Sequence, residues 1–269
     1  MVVRVVAFAA DEVKISGQLY LPGDAGAVSY PTVCICHGIP YGTPDANPDP
    51  DDGGYPALAE RICREGFAVL VFRFRGVGDS GGNFDILGWT RDLAAAVDYL
   101  WVLPDVDRSH LALVGFSGGA AVSVYVAAQD ARISSLVACA CPAEFDSLKD
   151  GFVGGESIID YYRGIGIIRD RDFPHSDQEW LDNFSLVSPI EYISGIAPRP
   201  LLLLHGSRDE VVDVSHAYRL HDRAGEHKEL VIIDGAGHRL RRDERALMVI
   251  INWLKSHCGG GSNPPKSGR

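Results

Sequence analysis

The sequence predicts an α/β protein: a doubly wound, mostly parallel sheet of eight strands with a small helical cap inserted. Three observations carry this reading. Strand-length apolar runs alternate with helix-length amphipathic ones along most of the chain. The later strands are apolar throughout, as in Leu201-Leu202-Leu203-Leu204, which suits parallel strands covered on both faces. Gly115-Phe116-Ser117-Gly118-Gly119 lies between an apolar run, His110–Val114, and a small-residue segment, Ala120–Ala128, so it marks a strand–turn–helix junction.

Taken in order, the strands are expected over Val2–Ala9, Ile15–Leu21, Thr32–Cys36, Phe67–Phe74, His110–Phe116, Ile133–Cys141, Pro200–His205 and Glu229–Ile233. The first two flank Asp11-Glu12-Val13-Lys14 and read as a β-hairpin, not as a cleaved signal peptide. Helices are expected over Pro56–Glu65, which stops at Gly66, and over Trp89–Trp101, with Leu93, Ala96, Val97 and Leu100 at helical spacing. Gly118–Gln129, Ser215–Ala224 and Asp243–Cys258 complete the set.

One stretch breaks the alternation. Ala143–Pro198 shows no strand pattern and carries many aromatic residues, among them Phe145, Tyr161, Tyr162, Trp180 and Phe184. A connection of that length reads as a functional insertion, a cap over the site; the plainer alternative is a crossover with surface helices. The expected division is therefore a single domain over 1–258, with the cap at about 143–198, and a disordered Gly/Pro/Ser-rich tail over 259–269.

Composition narrows the class. With 269 residues and 46% hydrophobic side chains, the chain can bury one large core. A formal net charge of −11 argues against nucleic acid or an anionic membrane surface as partner. No apolar run approaches a bilayer span. Four of the six cysteines form C-x-C pairs, Cys34/Cys36 and Cys139/Cys141, with each pair expected on one face of its strand. They read as buried, reduced core residues, which points to the cytoplasm. The loop Asp45–Gly54 reads as an acidic rim and not a calcium loop, because Pro50 stands where the glycine belongs. No metal and no cofactor are expected.

The chemistry centres on Ser117. A serine hydroxyl needs a base to take its proton, and the base needs an orienting carboxylate. Asp209 lies just past the strand Leu201–Leu204, with Glu210 and Asp213 as rivals. His238 lies on the Gly-rich loop Gly235-Ala236-Gly237 after the last strand. His205 and His37 also close strands but fit neither the chain order Ser…Asp…His nor such a loop. Asp234 reads as a loop-shaping residue. An oxyanion needs two backbone donors. Gly118 follows the nucleophile, and Ile39 follows His37-Gly38, whereas Pro40 has no N–H. The Tyr41 hydroxyl is a second candidate in that loop and a candidate substrate contact. Arg239, Arg241, Arg242 and Arg245 read as a solvated face balanced by Asp243 and Glu244, with an acidic-group site as the alternative.

Together, His37-Gly38, Arg73-Phe74-Arg75-Gly76-Val77-Gly78-Asp79-Ser80, Gly115-Phe116-Ser117-Gly118-Gly119, His205-Gly206-Ser207-Arg208-Asp209 and Gly237-His238 resemble the α/β-hydrolase superfamily, close to its serine esterase and dienelactone-hydrolase-like branches. The resemblance spans nearly the whole chain apart from the tail. It implies the α/β-hydrolase fold, nucleophile Ser117, acid Asp209, base His238 and oxyanion donors Ile39 and Gly118. Serine at 117 departs from the cysteine common in true dienelactone hydrolases and counts against that activity. The expected function is hydrolysis of a small-molecule carboxylic ester. A prolyl-oligopeptidase-type peptidase, a C–C hydrolase or acyltransferase, and a non-catalytic binding relative are the alternatives. A homo-oligomer is left open.

Overall fold

The computed structural model describes residues 1–23, 29–41, 54–145, 148, 151–153 and 155–258. The acidic loop expected at 45–54, apart from Gly54, and the tail 259–269 lie outside the described residues.

The N-terminal strands β1 (Val2–Ala10) and β2 (Val13–Leu21) pair antiparallel, Val2 opposite Leu21 and Ala10 opposite Val13. The tight connection is possible because Asp11 takes φ 54, a conformation that aspartate tolerates. Then follow β3 (Tyr30–Cys36), α1 (Gly54–Arg64), β4 (Ala68–Phe72), α2 (Ile86–Trp101), β5 (Val106–Phe116), α3 (Gly118–Gln129) and β6 (Ser135–Cys139). After the 143–198 segment come β9 (Leu201–Gly206), α7 (Ser215–Arg223), β10 (Lys228–Ile233) and α8 (Glu244–His257). The main sheet holds eight strands in the order β1-β2-β4-β3-β5-β6-β9-β10. From β4 to β10 every neighbouring pair is parallel, and β2 meets β4 antiparallel. This is the α/β-hydrolase sheet, with helices on both faces.

Strand alternation divides the core into two. Leu201 and Leu203 pack with α2 and α3 on one face, whereas Leu202 and Leu204 pack with α1 and α8 on the other. Cys34 and Cys36 share the first face, as the spacing predicts. Cys139 and Cys141 do not share a face. The strand ends at Cys139, Ala140 takes φ 48, and Cys141 turns into the opposite core. All six cysteines are free and buried.

Helix α2 begins earlier than the apolar spacing alone predicts. Asp85 caps it by accepting from the amides of Leu87 and Gly88, which fixes the start at Ile86. The 143–198 segment also differs from expectation. It contains α4 (Ile158–Gly164), α5 (Asp177–Leu186) and α6 (Pro189–Tyr192), but also a two-stranded ribbon, β7 (Phe152–Val153) with β8 (Glu156–Ser157). Strands of two residues are too short to carry a periodic signal.

This segment is anchored to the turn after β4. The Arg169 guanidinium donates to the carbonyls of Ser80 at 2.7 Å, Gly78 at 2.7 Å and Gly76 at 3.0 Å. Asn83 Oδ1 accepts from the amides of Arg169 and Asp170, and Trp180 Nε1 donates to the Phe84 carbonyl. Beneath that turn, Arg75 and Asp92 form a buried ion pair at 2.7 Å. Among the described residues no helix is long and apolar enough to cross a membrane.

Candidate active site

The junction of β5 and α3 fixes Ser117. Its backbone takes φ 52 and ψ −124, a conformation that costs a non-glycine residue roughly 1–3 kcal/mol. The Ser117 amide donates to the Cys139 carbonyl at 2.8 Å, tying the turn to β6. Its carbonyl accepts from the Ala120 and Ala121 amides and so starts the helix. The flanking glycines let the pieces approach. A Cβ at Gly115 would sit 2.5 Å from the Ala120 Cα, and one at Gly119 would overlap the His37 carbonyl oxygen.

The structure brings Ser117, His238 and Asp209 into one line. His238 Nε2 lies 3.0 Å from Ser117 Oγ, and His238 Nδ1 lies 2.8 Å from Asp209 Oδ2. Asp209 is held from behind by its own loop, its Oδ1 accepting from the Val211 and Val212 amides at 2.9 Å each. Burial alone would raise the Asp209 carboxyl, but hydrogen bonding to His205, His238 and the Val212 amide outweighs it and holds the group well below the usual carboxylate range. An ionised acid accepts the Nδ1–H, leaving Nε2 as the unprotonated nitrogen toward the hydroxyl. The loops carrying Asp209 and His238 are also joined directly. The Arg208 amide donates to the Ala236 carbonyl, and Ser207 Oγ to Asp234 Oδ1, which places Asp234 in loop support.

The other sequence candidates fall around this line. Ile39 and Gly118 adjoin: a Cβ at Gly118 would meet Ile39 Cγ1 at 2.6 Å, with the Ile39 nitrogen 3.6 Å away. Two backbone N–H groups therefore stand close together beside Ser117. The Tyr41 hydroxyl accepts from Arg239 Nε at 3.3 Å, and the Arg239 guanidinium lies 5.4 Å from the Tyr41 ring centre. The carboxylates flanking the arginine cluster are engaged, Asp243 with Arg245 and Glu244 with Arg61. His37 is committed elsewhere. Its Nε2 accepts from the Phe74 amide and its Nδ1 donates to the Gly38 carbonyl.

His205 holds a place that its position in the chain does not disclose. Its Nε2–H meets the Val212 carbonyl at 2.8 Å and lies 3.3 Å from Asp209 Oδ2. The available signal is its spacing: a histidine near the end of β9, four residues before Asp209, comes within reach of that carboxylate where the loop turns tightly.

A cavity of about 300 Å³ opens on Ser117 and His238, with apolar walls from Ile39, Phe145, Leu148, Tyr161, Tyr162 and Val212. Phe145, Tyr161 and Tyr162 come from the 143–198 segment; Trp180 and Phe184 instead pack around Phe84. The arrangement can bring a carbonyl compound up to a hydroxyl that has a base beside it and amide donors close by.

Residues 35–249 match the Alpha/beta hydrolase family. The uncharacterized protein PA2218 of Pseudomonas aeruginosa is 26% identical over 84% of this chain and 72% of its own length. The uncharacterized peptidase YuxL of Bacillus subtilis is 25% identical over 92% of this chain, which spans 38% of that protein. Among solved structures, the Pyrococcus furiosus esterase Pf2001 superposes with a TM-score of 0.70 at 24% identity, covering 96% of this chain and 93% of its own.

Proposed function

The chain belongs to the alpha/beta hydrolase family, and on that premise we propose that it hydrolyses carboxylic esters through an acyl-enzyme on Ser117. One observation carries the reading: the hydrogen-bonded line Ser117–His238–Asp209 ends at an apolar cavity.

Ser117 Oγ attacks the ester carbonyl carbon while His238 Nε2 takes the hydroxyl proton. The carbonyl oxygen becomes an oxyanion, and the amides of Ile39 and Gly118 stabilise it. Asp209 orients the imidazole and stabilises its protonated form. When the tetrahedral intermediate collapses, the C–O bond breaks and His238 gives its proton to the leaving alcohol. Water then attacks the acyl-Ser117 ester with His238 again as base, the acyl C–Oγ bond breaks as His238 returns the proton to Ser117 Oγ, and the acid departs.

A peptidase reading is favoured by one finding, the similarity to YuxL over nearly the whole chain. The two are separated by comparing p-nitrophenyl acyl esters with aminoacyl anilides. The ester reading expects faster ester turnover, together with fluorophosphonate labelling that is lost in Ser117→Ala. Faster anilide turnover overturns it in favour of peptidase, and no labelling of folded wild-type protein overturns both.

A further inference from the structure

The cavity beside Ser117 holds a second histidine that the proposed chemistry does not use. His216 lies in the first turn of α7 and lines the same cavity as Ser117 and His238. Its Nδ1 accepts from the Ala143 backbone amide at 3.0 Å. A backbone N–H only donates, so Nδ1 carries no proton and the neutral ring bears its proton on Nε2. Among the described residues that Nε2–H has no hydrogen-bond partner. Burial, with Arg219 and His205 nearby, lowers the His216 pKa against the opposing pull of Glu144 and Asp213, which keeps the ring neutral. A neutral ring with one fixed tautomer is a directional donor in an otherwise mostly apolar pocket.

We propose that His216 is a substrate-binding residue whose Nε2–H binds a neutral acceptor oxygen, an ether or ketone, carried by the ester beyond its scissile group. This rests on the ester-hydrolase reading above and names its substrate class. The wall next to His216 decides the charge. Glu144 lines the same cavity, one of its oxygens pairs with Arg219, and the other is buried without a partner among the described residues. A carboxylate on the substrate would bring a second negative charge beside Glu144 into a mostly apolar pocket, whereas an ether or ketone oxygen needs only the imidazole donor. The site therefore discriminates by an unpaired donor: a plain alkyl chain that enters leaves the Nε2–H unsatisfied, and an oxygenated chain of the same length satisfies it.

Isosteric esters test this. The first pair is p-nitrophenyl methoxyacetate against p-nitrophenyl butanoate, and the second is 2-methoxyethyl acetate against butyl acetate. Each is read as a ratio of kcat/KM in wild type, His216→Phe and His216→Gln, so that intrinsic reactivity cancels between proteins. In at least one pair the ratio should fall roughly five- to tenfold in His216→Phe, the worth of one neutral hydrogen bond. His216→Gln, whose amide accepts from Ala143 and still donates, should recover most of it. Ratios that ignore residue 216 in both pairs overturn the assignment while leaving the ester-hydrolase reading intact. Wild-type protein that turns over none of the four esters overturns both.

Discussion

His205 Nε2 stands 3.3 Å from the Asp209 oxygen whose other neighbour is His238 Nδ1. The carboxylate is gripped between two imidazoles, one facing the serine and one facing the core. The buried ring also donates to the Val212 carbonyl, so it fixes the loop as well as the acid. His205→Phe should keep the fold and lower kcat/KM by roughly tenfold through a looser Asp209. His205→Gln should restore part of the loss. An unchanged kcat/KM in the Phe variant rules the support role out.

Asp209→Asn keeps an oxygen for the Val211 and Val212 amides but offers His238 no negative charge. The expected loss in kcat is on the order of 10⁴-fold, with the fold intact by circular dichroism. A loss under tenfold would shift the acid role to Glu210 or Asp213.

Because the Asp209 carboxyl is held well below the usual range, the unfolded chain binds its proton before the folded one does. Its stabilising contribution is complete above about pH 5 and is lost as pH falls through the folded-state value. Denaturant titrations between about pH 6 and 3 should therefore show wild type losing stability more steeply than Asp209→Asn. Parallel curves contradict the assignment.

Ser117 pays for its geometry in backbone strain, at φ 52. Ser117→Gly should raise stability by about 1 kcal/mol while abolishing ester turnover. Ser117→Ala should abolish turnover without that gain, since alanine keeps the Cβ. Equal melting temperatures for the two variants would mean the turn is unstrained.

Gly119→Ala should destabilise by about 3 kcal/mol, because the added methyl overlaps the backbone carbonyl of His37, which cannot rotate away. Thermal melts of the purified variant measure it. A loss below about 1 kcal/mol would mean that β3 and α3 can separate at little cost.

Much of this architecture is legible in the sequence because its signals are local. The run Leu201–Leu204 declares a two-sided strand, and Gly115 and Gly119 declare a junction where no Cβ fits. Ser117, Asp209 and His238 each follow a strand, and parallel strands deliver their carboxyl ends to one edge. What stays hidden depends on contacts between distant segments. The Arg169 bonds to Ser80, Gly76 and Gly78 span about ninety residues and leave no periodic trace. The face reversal at Cys141 turns on one dihedral at Ala140, a residue with no special preference for it. His205 reads as an ordinary strand-end histidine until the loop folds back and shows what it touches.

The Arg169 guanidinium has a consequence for how this protein can diversify. It pins the middle of the 143–198 segment to backbone carbonyls of the turn after β4, a turn held in shape by glycines at 76 and 78 where no Cβ fits. The residues facing the cavity can be exchanged one at a time while the mounting point stays put. New ligand preferences are thus reachable without rebuilding the sheet edge where Ser117, Asp209 and His238 stand.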